Sequence, residues 1–188
     1  RNGAILPAAM STVSEQRARL REIIRTKSLR VGDFTLSSGK KSSYYLDCRL
    51  TTMDPHGGLL IAQLILDRIR SEKIEAVAIG GLTLGADPIV AAVAVISALE
   101  NMPINAFIVR KEAKGHGMKR FIEGFEGKPG DPVIVVDDVC TSGGSIITAA
   151  DRAEEAGYRV AAAFCVVDRE EGGSEIIRKR CPLFSLFT

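Results

Sequence analysis

Residues 132–145 read Pro132-Val133-Ile134-Val135-Val136-Asp137-Asp138-Val139-Cys140-Thr141-Ser142-Gly143-Gly144-Ser145. A β-branched run ends in two adjacent carboxylates and passes into a small glycine-rich loop. From Ile146 to Ala156 apolar residues then recur at helical spacing. Val133–Val136 is apolar without a break, the character of a strand covered on both faces, as in a parallel sheet. Ligands of such sheets bind beyond the carboxyl ends of the strands, where this loop falls. Thr141, Gly143, Gly144 and Ser145 offer backbone N–H groups and hydroxyls to a phosphate at the start of the next helix. Two acids directly upstream would repel that phosphate unless they served another part of the same ligand. A sugar phosphate meets both conditions, its vicinal hydroxyls donating to Asp137 and Asp138 while its phosphate sits in the loop. A strand-to-helix turn with an acidic N-cap also needs Asp, Ser and Gly. A cap explains neither the second acid nor the whole loop.

Other nucleotide motifs are missing. No G-x-x-x-x-G-K-[ST] occurs, since Gly124-Phe125-Glu126-Gly127-Lys128 has the wrong spacing and runs into Pro129. Gly115-His116-Gly117 lacks the third glycine of a dinucleotide fingerprint. At 188 residues the chain suffices for one substantial core and is short for two. Its composition, 46% hydrophobic and 26% charged, is that of a soluble globular domain. A formal charge of +2, with no basic run interleaved with aromatics, argues against nucleic acid as a partner. Cys48, Cys140, Cys165 and Cys181 form no C-x-x-C pair, and with two histidines a structural zinc site is not expected. The cysteines read as reduced thiols of a cytoplasmic protein. Segment 87–99 is apolar but short and carries Asp87 and Pro88, so no membrane span is expected.

Along the chain, residues 1–10 read as a leader that need not be ordered, and 11–188 as a single domain. Ser14–Lys27 has the pattern of an amphipathic helix. Val31–Leu36 and Ser43–Asp47 read as strands joined by the polar turn Ser37–Lys41. Pro55 opens a helix. Strands at Ala76–Ile79, Ile104–Val109, Pro132–Val136 and Arg159–Val167 then alternate with helices at Leu84–Leu99, Ser145–Ala156 and Ser174–Lys179. Leu183–Phe187 suits one more edge strand. Such alternation predicts an α/β fold with a central, mostly parallel sheet flanked by helices. The glycine-rich, basic segment 112–130 breaks the pattern and reads as a flexible loop.

The strand, acid pair and Thr/Gly/Ser loop together resemble the phosphoribosyl diphosphate signature of type I phosphoribosyltransferases. Three more clusters narrow the resemblance to the orotate phosphoribosyltransferase family. Arg110-Lys111-Glu112-Ala113-Lys114-Gly115-His116-Gly117 is similar to the family's diphosphate-binding run. Phe34-Thr35-Leu36-Ser37-Ser38-Gly39-Lys40-Lys41-Ser42-Ser43-Tyr44-Tyr45 resembles its small N-terminal hood, placed at about residues 28–50. Val167-Asp168-Arg169-Glu170 matches at the end of the last long strand. Two departures stand out. Ser37 stands where many members carry a lysine, so that contact is either lost or taken up by Lys40 or Lys41. Gly80-Gly81-Leu82-Thr83-Leu84-Gly85-Ala86-Asp87 resembles a branch in which backbone groups meet the diphosphate, so the resemblance carries no side-chain role over to Leu82 or Thr83.

The resemblance implies transfer of phosphoribosyl from 5-phosphoribosyl 1-diphosphate to orotate, giving orotidine 5′-monophosphate and diphosphate in pyrimidine biosynthesis. Arg110, Lys111, Lys114 and His116 would neutralise the diphosphate, the last two on a flap that closes over a neighbouring subunit's site. Asp137 and Asp138 would bind the ribose hydroxyls, and Val139, Cys140, Thr141, Ser142, Gly143, Gly144 and Ser145 the 5′-phosphate. Thr141 and Arg169 would contact orotate, the arginine through the carboxylate. Lys114, Asp137 and Asp138 are the expected catalytic groups. Mg²⁺ is the expected cofactor, held by the donor's diphosphate, its ribose hydroxyls and water rather than directly by protein, and the partner is a second copy in a homodimer. Two alternatives remain at this stage: a purine phosphoribosyltransferase, which would share the donor loop, and a noncatalytic nucleotide-sensing regulator of the same fold. Tyr44 and Tyr45 alternate along a strand, so one is expected to pack while the other faces solvent or the site.

Overall fold

The computed structural model describes residues 12–35, 39, 41–112 and 121–188. Helix α1 (Val13–Ile23) starts at a capping box, Thr12 accepting from the Glu15 N–H while the Glu15 carboxylate accepts from the Thr12 N–H. The helix predicted as continuous to Lys27 instead loosens at Ile24–Ser28 into a wider turn, closed by the Leu29 N–H bonding the Ile24 carbonyl. An antiparallel hairpin follows, β1 (Leu29–Thr35) with β2 (Lys41–Leu46), then a single turn α2 (Arg49–Thr52). The Ser28 and Thr51 hydroxyls, 2.6 Å apart and buried, tie the hairpin to that turn. Asp54 caps α3 (Pro55–Ser71), accepting from the His56 and Gly57 N–H groups, with Pro55 in the first turn where its missing N–H costs nothing.

The main sheet contains β3 (Ala78–Leu82), β4 (Asn105–Val109), β5 (Ile122–Glu123), β6 (Pro132–Cys140), β7 (Arg159–Asp168) and β8 (Leu183–Phe187). Helices α4 (Asp87–Leu99), α5 (Gly144–Glu155) and α6 (Gly173–Arg178) connect them. Their order is β5-β4-β3-β6-β7-β8, every pair parallel except β4 with β5. Alternate residues of β6 face opposite cores. Ile134 and Val136 join α1, α3 and α4 through Leu20, Ile61, Ile65 and Val93, whereas Val133 and Val135 join α5 and α6 through Ile146, Ala149 and Ile177. This two-sided burial explains the unbroken apolar run, each such side chain contributing about 1.5–3 kcal/mol.

β3 is the switch point of the sheet. The chain leaves it for β4 on one side and places β6 on the other, with α4 and α5 packed into opposite cores. A crevice therefore opens between the carboxyl ends of β3 and β6, where α/β sheets hold their ligands. Two close approaches set it. A methyl at Gly80 would stand 2.2 Å from the Phe107 ring, and one at Gly81 would stand 2.1 Å from the Val136 carbonyl oxygen.

Several boundaries differ from those read in the sequence; the strand read as Ala76–Ile79 runs from Ala78 to Leu82. β6 does not stop at Val136, because β7 continues to pair with it through Asp137↔Cys165, Val139↔Val167 and Cys140↔Asp168. Its pairing with β3 ends at Val135, so the acids stand on a strand bonded on one side only. α4 begins at Asp87, leaving Leu84–Ala86 as the turn that roofs the crevice. Within 112–130, Ile122 and Glu123 form the short edge strand β5. Beside it Phe121 lies under Arg152, 3.6 Å from guanidinium carbon to ring centre, and Phe125 packs on Tyr158 at 5.5 Å.

Candidate active site

Asp137 is 7% exposed and Asp138 half-buried at the open end of β6. A methyl built on Gly85 would lie 2.6 Å from Asp137 Oδ1 and 2.8 Å from Asp138 Oδ1, so both carboxylates converge beneath the β3–α4 turn. Asp137 Oδ1 accepts from the Asp138 N–H (3.0 Å), and Asp138 Oδ1 from the Val139 N–H (2.9 Å). Burial pushes the Asp137 carboxyl well above the usual carboxylate range, and the neighbouring Asp138 charge pushes it further; the Ser145 side chain works the other way. Burial also raises Asp138, opposed by the Val139 N–H and by Arg49. Both shifts favour a proton shared within the pair.

From Cys140 the chain turns through Thr141, Ser142 and Gly143 into α5. Gly143 has φ +80°, a left-handed conformation that favours glycine, and its carbonyl accepts from the Ile147 N–H at 2.9 Å. The loop leans on the start of α6. The Gly173 N–H donates to the Thr141 carbonyl (3.0 Å), and a methyl on Gly173 would stand 2.4 Å from both the Gly143 nitrogen and the Thr141 oxygen. A loop braced this way presents its N–H groups with little freedom left to lose on binding an anion.

Other predicted residues line up across the sheet. Arg110 and Lys111 follow β4 and share a cavity of about 430 Å³ with Thr83, Asp87 and Glu123. Arg110 pairs with Glu123 on β5 (3.0 Å), and its Nε donates to the Glu112 carbonyl (3.3 Å). The Thr83 hydroxyl donates to Asp87 (2.6 Å). Arg169 follows β7, where its backbone N–H donates to the Cys140 carbonyl (2.9 Å). It faces a second cavity, of about 450 Å³, beneath the hairpin, lined also by Tyr44, Leu46, Arg21 and Arg25. Cations, glycine turn, acid pair and arginine thus occupy the ends of β4, β3, β6 and β7 in that order, neighbours about 5 Å apart. Lys114 and His116 lie outside the described residues, as do Ser37 and Lys40. Among the described residues, no group of three or more His, Cys, Asp or Glu side chains is placed to hold a metal ion.

Sequence reasoning placed Gly85 only within a turn whose backbone meets the diphosphate, and missed Gly173, Glu123 and Glu171. Of these, only the adjacent pair Gly172-Gly173, a few residues beyond the end of β7, carried a signal. Of the tyrosines, Tyr44 lies against Arg169, 5.0 Å from ring centre to guanidinium carbon, while Tyr45 packs on Phe34 at 5.8 Å.

An acid pair, a braced glycine loop and a cationic strand end thus lie along one crevice, and residues 54–185 match the phosphoribosyl transferase domain family. An orotate phosphoribosyltransferase of Aquifex aeolicus is 48% identical over 92% of this chain and 94% of its own length. The solved orotate phosphoribosyltransferase of Mycobacterium tuberculosis H37Rv with Fe(III) dicitrate superposes with a TM-score of 0.81, at 39% identity, covering 92% of this chain and 95% of that one. Its complex with 5-phospho-alpha-D-ribosyl 1-diphosphate gives 0.75 at 34% identity, with the same coverage. The chain belongs to the orotate phosphoribosyltransferase family.

Proposed function

We infer that this chain is a pentosyltransferase that moves phosphoribosyl from 5-phosphoribosyl 1-diphosphate to orotate, yielding orotidine 5′-monophosphate and diphosphate for pyrimidine biosynthesis. One observation carries the reading: the two acids converge between a braced phosphate loop and a cationic strand end. The donor lies along that line, its 5′-phosphate on Thr141–Ser145, its ribose hydroxyls on Asp137 and Asp138, its diphosphate toward Arg110 and Lys111. The base enters from the β7 side, under the hairpin.

Breaking the anomeric C–O bond builds positive charge on the ribose and negative charge on the departing diphosphate. Fixed groups that meet those charges lower the barrier without having to reorganise. Arg110 and Lys111 supply the cations at the strand end, and the sequence adds Lys114 and His116 as further groups for the diphosphate. The charge of orotate lies on its carboxylate; as the ring nitrogen bonds the anomeric carbon, its N–H proton passes to water or to the departing diphosphate. The buried acid pair fits a magnesium-dependent donor indirectly, since Asp137 and Asp138 would hold the ribose hydroxyls rather than the ion itself. Bound to that donor, Mg²⁺ would neutralise leaving-group charge.

A homodimer is supported by α4, which carries no charged residue between Asp87 and Glu100 and leaves Val95 61% and Leu99 75% exposed. A flap bearing Lys114 and His116 would then serve the neighbouring subunit's site. No helix among the described residues is long and apolar enough to cross a membrane, and four buried free thiols suit a reducing cytoplasm. Orotate absorbance decides the activity: it should fall when donor and Mg²⁺ are added, with hypoxanthine inert under the same conditions. Turnover of hypoxanthine but not orotate would overturn the reading.

A further inference from the structure

The Arg169 guanidinium is enclosed yet almost uncommitted. Its side chain is 14% exposed, one face lies against the Tyr44 ring, and Nε is buried without a hydrogen-bond partner. Among the described residues, none accepts a directed hydrogen bond from its five N–H donors. Its counter-charge is Glu171, two residues on, with Oε1 2.9 Å from Nη2. That carboxylate is itself 42% exposed, in a short reversal where Glu170 (φ +54°) and Gly172 (φ +91°) both take left-handed backbone. The arginine is therefore held and the acid is free to leave. A planar fork of donors stacked on an aromatic ring stays put when its anion is exchanged.

We propose that Glu171 is a resident counter-carboxylate, which occupies Arg169 in the empty site and is displaced by the carboxylate of the incoming pyrimidine while Tyr44 holds the guanidinium in place. The proposal rests on reading Arg169 as the orotate carboxylate contact. Its consequence is selectivity. A base that brings a carboxylate replaces one ion pair with a better enclosed one, whereas a base without one leaves Glu171 seated. Binding to the correct base is weakened by the loss of the resident pair, an exposed and therefore weak one.

The test is steady-state KM for orotate at saturating donor in E171Q, Y44F, Y44L and R169Q, with the donor's KM and thermal denaturation measured alongside. E171Q is expected to lower the orotate KM by about two- to fivefold, the equivalent of an exposed ion pair, and to leave the donor's KM unchanged. Y44L should raise the orotate KM by up to about tenfold with little change in kcat, and Y44F, which keeps the ring, should raise it by less. An orotate KM that is unchanged or raised in E171Q would overturn the proposal, because Glu171 would then be irrelevant to Arg169 or a support for it. R169Q separates the two levels. If it leaves the orotate KM untouched, the carboxylate reading of Arg169 fails; if it raises KM while E171Q does not lower it, only the displacement fails.

Discussion

Gly85 offers the sharpest structural perturbation because substituting it leaves every ligand-binding side chain chemically unchanged. In Gly85→Ala, the new methyl would stand 2.6 Å and 2.8 Å from oxygens of Asp137 and Asp138, closer than a Cβ approaches any neighbour. Either the carboxylates swing away or the β3–α4 turn lifts. Forcing extra volume into a packed site costs about 1–3 kcal/mol. The displaced atoms are the ends of the two side chains assigned to the ribose, so the cost should fall on donor binding more than on folding. It corresponds to about 5- to 150-fold weaker affinity. Titration calorimetry with Mg²⁺-loaded 5-phosphoribosyl 1-diphosphate reads this directly, and thermal denaturation run beside it records how much of the cost reaches the fold. A Gly85→Ala protein that binds donor as wild type does, with an unchanged melting temperature, would refute the convergence of the two acids beneath that turn.

Three further outcomes are expected. Because burial raises both carboxyls of the pair above the unfolded value of about 3.9, the empty folded protein holds a proton that the unfolded chain gives up. The stability this contributes is full below that value and is lost as pH rises through the raised folded values. Thermal melts of ligand-free protein should record that loss, and Asp137→Asn should flatten it; donor binding should release protons, seen as a calorimetric heat that changes with the buffer's ionisation enthalpy. Lys114→Ala should lower kcat by on the order of a hundredfold, as for loss of one electrostatic donor, and stopped-assay turnover with an unchanged kcat would remove Lys114 from the chemistry. Arg169→Leu should raise the KM for orotate far more than that for the donor, and equal effects on the two would dismiss the carboxylate contact.

The main axis of the site was legible because its signals are local. Val133–Val136 announces a doubly covered strand, and the acids and glycines that follow stand in fixed order along a dozen positions. What escaped depends on neighbours distant in sequence. Nothing in 132–140 reveals that β7 keeps pairing as far as Cys140, which turns the acids from loop residues into strand residues. β5 is too short for periodicity to reveal, and it exists because Ile108 and Val109 offer it an edge. Gly85 and Gly173 matter through what a methyl would strike, at Asp137, Asp138 and the phosphate loop, none of them adjacent in the chain. The hairpin was read from its alternation, but the choice between Tyr44 and Tyr45 required seeing Arg169 beneath it.

Titrating ribose 5-phosphate into wild-type protein and into the Asp137→Asn/Asp138→Asn variant isolates the pentose and its phosphate from every other contact. Saturable binding by the wild type, strongly weakened in a variant that still melts cooperatively, is the predicted result. Equal affinity in the two proteins would mean that the carboxylates at the end of β6 do not hold the sugar.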